Sequence, residues 1–134
     1  MKFLLALLLI IAVPSVGCVN SKPPSAEVTA YSTIKATDDA VLTSLKVWAN
    51  RYAKRESENE KTKAIDLSGY MERKAMLIQE EARVRQLQAN YTAAVTLAVQ
   101  TWVAARNSGT ASTASPVATP DVLKAAAAIE SISK

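Results

Sequence analysis

The side chains in this sequence that can do chemistry are one cysteine, Cys18, and two carboxylate pairs, Asp38-Asp39 and Glu80-Glu81. Paired carboxylates can bind a divalent cation, but neighbours on a helix point in different directions, so we interpret both pairs as solvated surface. The absence of histidine removes the usual general base and the commonest transition-metal ligand. A single thiol makes no zinc cluster, and the few glycines make no phosphate-binding loop. We therefore expect no enzyme, with no catalytic residue, metal site, cofactor or small-molecule substrate.

The segment before Cys18 is typical of an export signal. Lys2 supplies a positive charge, residues 3–13 are continuously apolar, and Pro14 ends the apolar run. A membrane-spanning helix needs about 20 apolar residues, and this run is shorter. We predict a signal peptide over residues 1–17 rather than a permanent transmembrane helix.

The residues Val16-Gly17-Cys18 resemble bacterial lipoprotein signals, in which a small residue precedes an obligatory cysteine. The resemblance implies that Cys18 is lipidated, with palmitate-type acyl chains, and that it anchors an exported protein to the cell membrane. Val19 rather than aspartate follows the cysteine, which implies the outer membrane in a two-membrane bacterium. Ser15 departs from the aliphatic residue usual at its position. Ser15 and Gly17 also fit ordinary signal-peptidase cleavage, which would leave a secreted protein with a free Cys18.

Residues 18–25 form the predicted lipidated tether, and a long helix is predicted from Ala26 to about Glu56. This segment has neither glycine nor proline, and its apolar residues recur at helical spacing. They form two seven-residue rows: Tyr31, Asp38, Leu45 and Tyr52 in one, and Ile34, Val41 and Trp48 in the other. Asp38 is the one polar residue in these two otherwise apolar rows, which together form the predicted contact face (the seam) of the helix. It either leans towards solvent or fixes the register of a helix pair.

A second long helix is predicted from about Tyr70 to Arg106, after a break at residues 66–69. Its row repeats every seven residues: Tyr70, Leu77, Val84, Tyr91, Ala98 and Ala105. Two such helices in succession predict an all-α fold, a long antiparallel coiled-coil-like helical hairpin over residues 26–107. The predicted register places Ile34 opposite Ala98, Val41 opposite Tyr91, and Trp48 opposite Val84.

The C-terminal part is predicted to be a flexible linker over residues 108–119 and a short C-terminal helix over residues 120–134. The linker is rich in serine, threonine and alanine. Thr119 is the expected N-cap, followed by Pro120 in the first turn. Val122, Ala126, Ile129 and Ser133 lie on one face of the helix.

The two tryptophans are expected to differ in their contribution to stability. Trp48 belongs to the central seam, so Trp48→Ala is expected to cost about 3–5 kcal/mol. Trp102 lies near the end of the second helix, where it either packs less completely or anchors at a lipid interface. Trp102→Ala is therefore expected to cost only about 1–2 kcal/mol.

Segments around Tyr31 and Val84 resemble small uncharacterised helical proteins of bacteria and prophages. The net charge of +4 is mild, and together with export it does not indicate nucleic-acid binding. We expect a non-enzymatic envelope protein that acts through contact with itself, another envelope protein or the cell wall. The alternative is a prophage-derived envelope protein in lysis or superinfection exclusion.

A further hypothesis is that Lys134 is the site of attachment to the cell wall. The anchor, the helices and the terminal lysine resemble the murein lipoprotein, whose C-terminal lysine is joined to the cell wall. Ile132-Ser133 departs from the basic or aromatic residues that usually precede that lysine. A lysine is also common at any solvated helix end.

The anchor prediction is tested by Cys18→Ser. Because the acyl chains attach to the cysteine sulfur, the variant is expected to lose radiolabelled palmitate and to leave the membrane fraction or stall in processing. Equal labelling of the two chains, or no labelling of either, contradicts lipidation at Cys18.

Overall fold

A computed structural model describes residues 26–109 and 118–134, with side chains from residue 33 onward. The described residues form three α-helices and a 3₁₀ turn, with no strand among them. The elements are α1 (Ala26–Thr62), α2 (Leu67–Asn107), α3 (Pro120–Glu130) and the 3₁₀ turn Ser131–Ser133. The predicted all-α class is confirmed. The signal peptide 1–17, the tether 18–25 with Cys18, and most of the linker 108–119 lie outside the described residues.

The turn between α1 and α2 is shorter than the sequence suggested. α1 continues through the charged segment to Thr62, and Asp66 caps α2, accepting a hydrogen bond from the backbone N–H of Gly69 at 2.9 Å. A Cβ on Gly69 would lie 2.0 Å from a carboxylate oxygen of Asp66, so the close cap depends on glycine there. Gly69 therefore lies inside the first turn of α2 rather than at the break.

The hydrophobic core joins all three helices. Its buried members come from the N-terminal half of α1, the C-terminal half of α2, and α3: Ile34, Val41, Tyr91, Ala98, Val122, Ala126 and Ile129. The predicted opposite pairs Ile34 with Ala98 and Val41 with Tyr91 thus lie in one cluster. The sequence predicted α3 but not its position in this core.

α3 depends on the core for its stability. The Thr119 hydroxyl caps it, accepting from the backbone N–H of Val122 at 3.4 Å, as predicted. An isolated helix of 11 residues is marginal in water. Val122 and Ile129 are 0% exposed and Ala126 is 2% exposed. Burial of a valine or isoleucine stabilises the docked helix by about 1.5–3 kcal/mol each.

Arg51 of α1 holds the far end of α3. Its guanidinium donates to the backbone oxygens of Ile132 at 2.8 Å and Lys134 at 3.3 Å. These oxygens follow the last turn of a helix, where carbonyl groups lack intrahelical partners. A cation at this end also interacts favourably with the helix dipole.

Polar side chains also connect α1 to α2. The Tyr91 hydroxyl donates to Asp38, and the Trp48 indole N–H donates to Glu80 at 2.7 Å. Near the turn, the Asn59 amide donates to the backbone oxygen of Tyr70 at 3.1 Å. Residues further along α1 thus contact residues earlier in α2. Asp38, open between two interpretations from sequence, is half-buried and bonded across the helix pair.

The structure changes the expectation for the two tryptophans. Trp48 is half-buried and outside the core cluster, with its ring 5.2 Å from that of Tyr52. Trp102 is also half-buried, but it packs against the three-helix core. The predicted place of Trp48 in the centre of the core is wrong, because α3 places that centre nearer the other end of the helices.

We now expect Trp102→Ala to lower the free energy of unfolding at least as much as Trp48→Ala, by about 2–4 kcal/mol. The reason is that Trp102 supports the contact between α2 and α3. Urea unfolding of both variants, followed by circular dichroism, measures the difference. A clearly larger loss in Trp48→Ala would contradict this order.

Candidate functional site

The predicted site residue Cys18 lies outside the described residues. The other candidates from the sequence, the two carboxylate pairs, lie in α1 and α2. Candidate sites among the described residues are therefore sought in the side-chain contacts between the helices and in the exposed helix surfaces.

The two carboxylate pairs are separated into different contacts, as neighbouring helical positions require. Asp38 accepts from Tyr91, whereas Asp39 pairs with Lys35 at 2.9 Å on the surface of α1. In α2, Glu80 accepts from side chains of α1, whereas Glu81 pairs with Arg85 of its own helix and also accepts from the Tyr52 hydroxyl at 3.3 Å. Asp39 lies on the solvated surface, as expected. The same expectation is wrong for Asp38 and Glu80, which are half-buried and accept hydrogen bonds across the helix pair.

Glu80 is the centre of the contact between α1 and α2. It accepts from Arg55 at 2.5 Å and from the Trp48 indole at 2.7 Å. The hydrogen bond from Arg55 is the main cause that lowers the pKa of Glu80 below its ordinary value, with Trp48 acting in the same direction against partial burial. A lowered pKa means that the charged carboxylate is the form that stabilises the fold.

Tyr91 shows the opposite effect. Burial, followed by its hydrogen bond to Asp38, raises the pKa of the Tyr91 hydroxyl far above its usual value. The hydroxyl therefore stays protonated and keeps donating to Asp38 throughout the physiological range. This bond occurs at the level of the core and favours one register of α1 against α2.

A polar cluster near the turn was missed by sequence reasoning. Asn59 is 4% exposed, and its amide oxygen accepts from Arg73 Nε at 2.7 Å. Arg73 also donates to the Thr62 hydroxyl at 2.7 Å and pairs with Asp66 at 3.5 Å. The cluster explains how a charged segment without apolar spacing continues both helices up to the turn. Its amide, hydroxyl and charged groups are satisfied by one another.

An exposed apolar face on α2 was also missed. We call it the outer row: Leu67, Met71, Ala75, Ile78 and Ala82. Its members are spaced four, four, three and four residues apart, which places them on one side of the helix. All are exposed, and its three large side chains are 56–60% exposed. The signal in the sequence was the two seven-residue spacings, Met71 to Ile78 and Ala75 to Ala82.

The outer row is separate from the buried row of the same helix. Tyr70, Leu77 and Val84 are 8%, 5% and 2% exposed and lie about a third of a turn away, at 3.6 residues per turn. α2 is therefore apolar on two faces. Contiguous exposed apolar surface on a soluble helix is typical of an interaction site.

A shallow groove between α2 and the start of α3 is another candidate binding site. The groove has a volume of about 370 Å³, and its lining includes Ala93, Leu97, Trp102 and Asp121. Small apolar side chains dominate this lining.

The helices of residues 26–109 and 118–134 define what membrane and metal contacts that part of the chain can make. Within them, no helix is both long and apolar enough to span a membrane. Across the same residues, no group of three or more acidic, cysteine or histidine side chains is placed to hold a metal ion.

Comparison with known proteins gives no relative for this chain. No protein-family model matches the sequence, and neither a curated protein nor a solved structure is significantly similar to it.

The Glu80 contact predicts a dependence of stability on pH. Since the folded pKa lies below the ordinary value of 4.5, the stabilisation is present above about pH 4.5 and is lost as the pH falls through the folded pKa. Glu80→Gln should lower the free energy of unfolding at pH 7 by about 1 kcal/mol, because the side chain is partly exposed and screened.

The measurement is urea unfolding of the wild type and Glu80→Gln between neutral pH and pH 3, with the surface variant Glu72→Gln as control. The gap between the wild type and Glu80→Gln should shrink on acidification. A gap that is constant with pH, or equal in the control, contradicts this role of Glu80.

Proposed function

We propose that this chain is a non-enzymatic, lipid-anchored helical protein of the bacterial cell envelope that acts through contact with a protein partner. The observation that carries the proposal is the outer row of α2, an apolar face with three large side chains 56–60% exposed. Leaving such a face in water is unfavourable at about 25 cal/mol for each Å² of apolar surface. A protein partner that covers it recovers that free energy.

The finer architecture belongs to this proposal. We infer that α1 and α2 form a long antiparallel hairpin with coiled-coil-like packing. The seven-residue row of α2 supports it, since Tyr70, Leu77, Val84, Tyr91 and Ala98 are all buried. The hydrogen bonds that Tyr91 donates to Asp38 and that Asn59 donates to the backbone oxygen of Tyr70 support the antiparallel direction.

The position of the outer row fits a contact protein that is held at a surface. The tether to Cys18 precedes α1, whereas the outer row begins directly after the turn that ends α1. α1 has 37 residues, and at 1.5 Å per residue its far end, near the start of the outer row, lies about 55 Å from its beginning. An anchored hairpin would thus present the row away from its tether.

The contact is tested by placing a photo-reactive benzoylphenylalanine at position 78, in place of the exposed Ile78, in a bacterial host. The expected result is a discrete light-dependent adduct in the membrane fraction. The matched control carries the same probe in place of Ala53, which is exposed on α1, and should give no such adduct.

Two readouts separate the parts of the proposal. Loss of the chain from membranes in a Cys18→Ser background reports on the anchor. Absence of adducts at position 78, or equal labelling from position 53, contradicts contact through the outer row.

A further inference from the structure

We propose that the partner of the outer row is the same row on a second copy of this chain, packed antiparallel about a two-fold axis. This inference rests on the proposed contact function of the outer row. It adds the identity and direction of the partner, which are argued from the order of large, small and charged side chains along α2.

Side-chain sizes along the outer row match those of the same row running in the opposite direction. Large and small side chains alternate along it as Met71, Ala75, Ile78 and Ala82. An axis between positions 76 and 77 places Met71 opposite Ala82 of the second copy, and Ile78 opposite Ala75 of the second copy. Met71 and Ile78 then each face an alanine, so the helices can approach closely and the side chains interdigitate. Leu67 lies beyond this paired stretch, opposite Gln86 of the second copy.

The charges beside the row follow the same symmetry. Lys74 and Glu81 lie on the same edge of the row, seven residues apart. The axis that matches large with small also brings Lys74 near Glu81 of the second copy, twice in one interface. A parallel arrangement in equal register would instead place the Lys74–Glu81 edges of the two copies on opposite sides of the interface, so these charges would not pair.

Both charged side chains have the exposure and bonding capacity for another partner. The Lys74 side chain is 33% exposed and holds Glu56 at 3.0 Å and Glu60 at 3.7 Å. Glu81 is 35% exposed and pairs with Arg85 at 2.5 Å. An ammonium group has three donors and a carboxylate about four acceptor sites, so a contact across the interface adds to those within the monomer.

A helical partner fits this face better than a lipid surface. Two of the five outer-row members are alanines at seven-residue spacing, which favours a closely packed helix. Helices that lie on lipid surfaces carry large apolar side chains with an excess of lysine and arginine beside them. Here the charges beside the row include the acidic Glu81 as well as Lys74 and Arg85, so both signs are present for self-pairing.

The mass of the full chain in mild detergent tests the inference, using light scattering and sedimentation velocity. The wild type should be a dimer. Ile78→Glu should raise the dimer dissociation constant by at least about tenfold, because it places a charge in the apolar interface. Ala53→Glu, on the exposed surface of α1, is the matched control and should leave the dimer intact.

Circular dichroism and thermal unfolding of the same samples distinguish loss of the dimer from loss of the monomer fold. The substituted positions are exposed in the monomer, so Ile78→Glu should retain its helix content. A wild type that stays monomeric across the concentration range overturns the inference. So does a dimer that Ile78→Glu and Ala53→Glu weaken equally.

Direction is tested by disulfide formation in a Cys18→Ser background, which removes the native thiol. A chain with Met71→Cys, mixed with a chain carrying Ala82→Cys, should give the mixed disulfide faster than either chain alone gives its own. Faster formation of the two symmetric disulfides overturns the antiparallel arrangement. Since this background lacks the anchor, the result does not depend on whether lipidation occurs.

Discussion

The burial of one face of α3 between α1 and α2 is the contact on which the described fold depends. Val122 and Ile129 are 0% exposed, and they cover Ile34, Val41 and Ala98 of the longer helices. Without α3, those residues would lie on an open apolar surface. Without the longer helices, α3 would be too short to persist. The free energy of each part therefore depends on the other, as expected for a cooperative small domain.

Away from that core, α2 still buries Leu77 and Val84, and polar contacts join the two long helices. Glu80 accepts hydrogen bonds from Trp48 and Arg55, and Asn59 donates one to the backbone of α2 near the turn. Such bonds each contribute modestly to net stability, but they strongly disfavour arrangements that leave buried groups unpaired. The apolar core thus supplies most of the free energy, and the polar contacts select the alignment of the two long helices. Because the inner face of α2 is committed to these contacts, the outer row is left exposed.

Local features of the fold were predictable from the sequence, and long-range ones were not. The seven-residue rows predicted two long helices, and Thr119 with Pro120 predicted the start of α3, because both signals act within a few residues. The end of α1 was placed too early, since the charged segment is stabilised by Asn59 and Arg73 across the turn. The docking of α3 depends on contacts between distant parts of the chain, which no local spacing encodes. Because the docking of α3 was not predicted, the centre of the core was predicted too near the turn, and Trp48 was wrongly assigned to it. The outer row was visible as a second seven-residue spacing but was masked by the stronger row beside it.

Native-state hydrogen exchange of the full chain in detergent tests this account most directly, because it reports the free energy of opening at each backbone amide. If α3 and the long helices form one cooperative core, the amides of α3 from Leu123 to Glu130 should approach the protection of those around Tyr91 and Ala98. Ile129→Ala, which removes a fully buried side chain at a cost of about 2–5 kcal/mol, should lower protection in both places together. Exchange of α3 at the rate of an unstructured peptide, with α2 still protected, would contradict the central place given to α3.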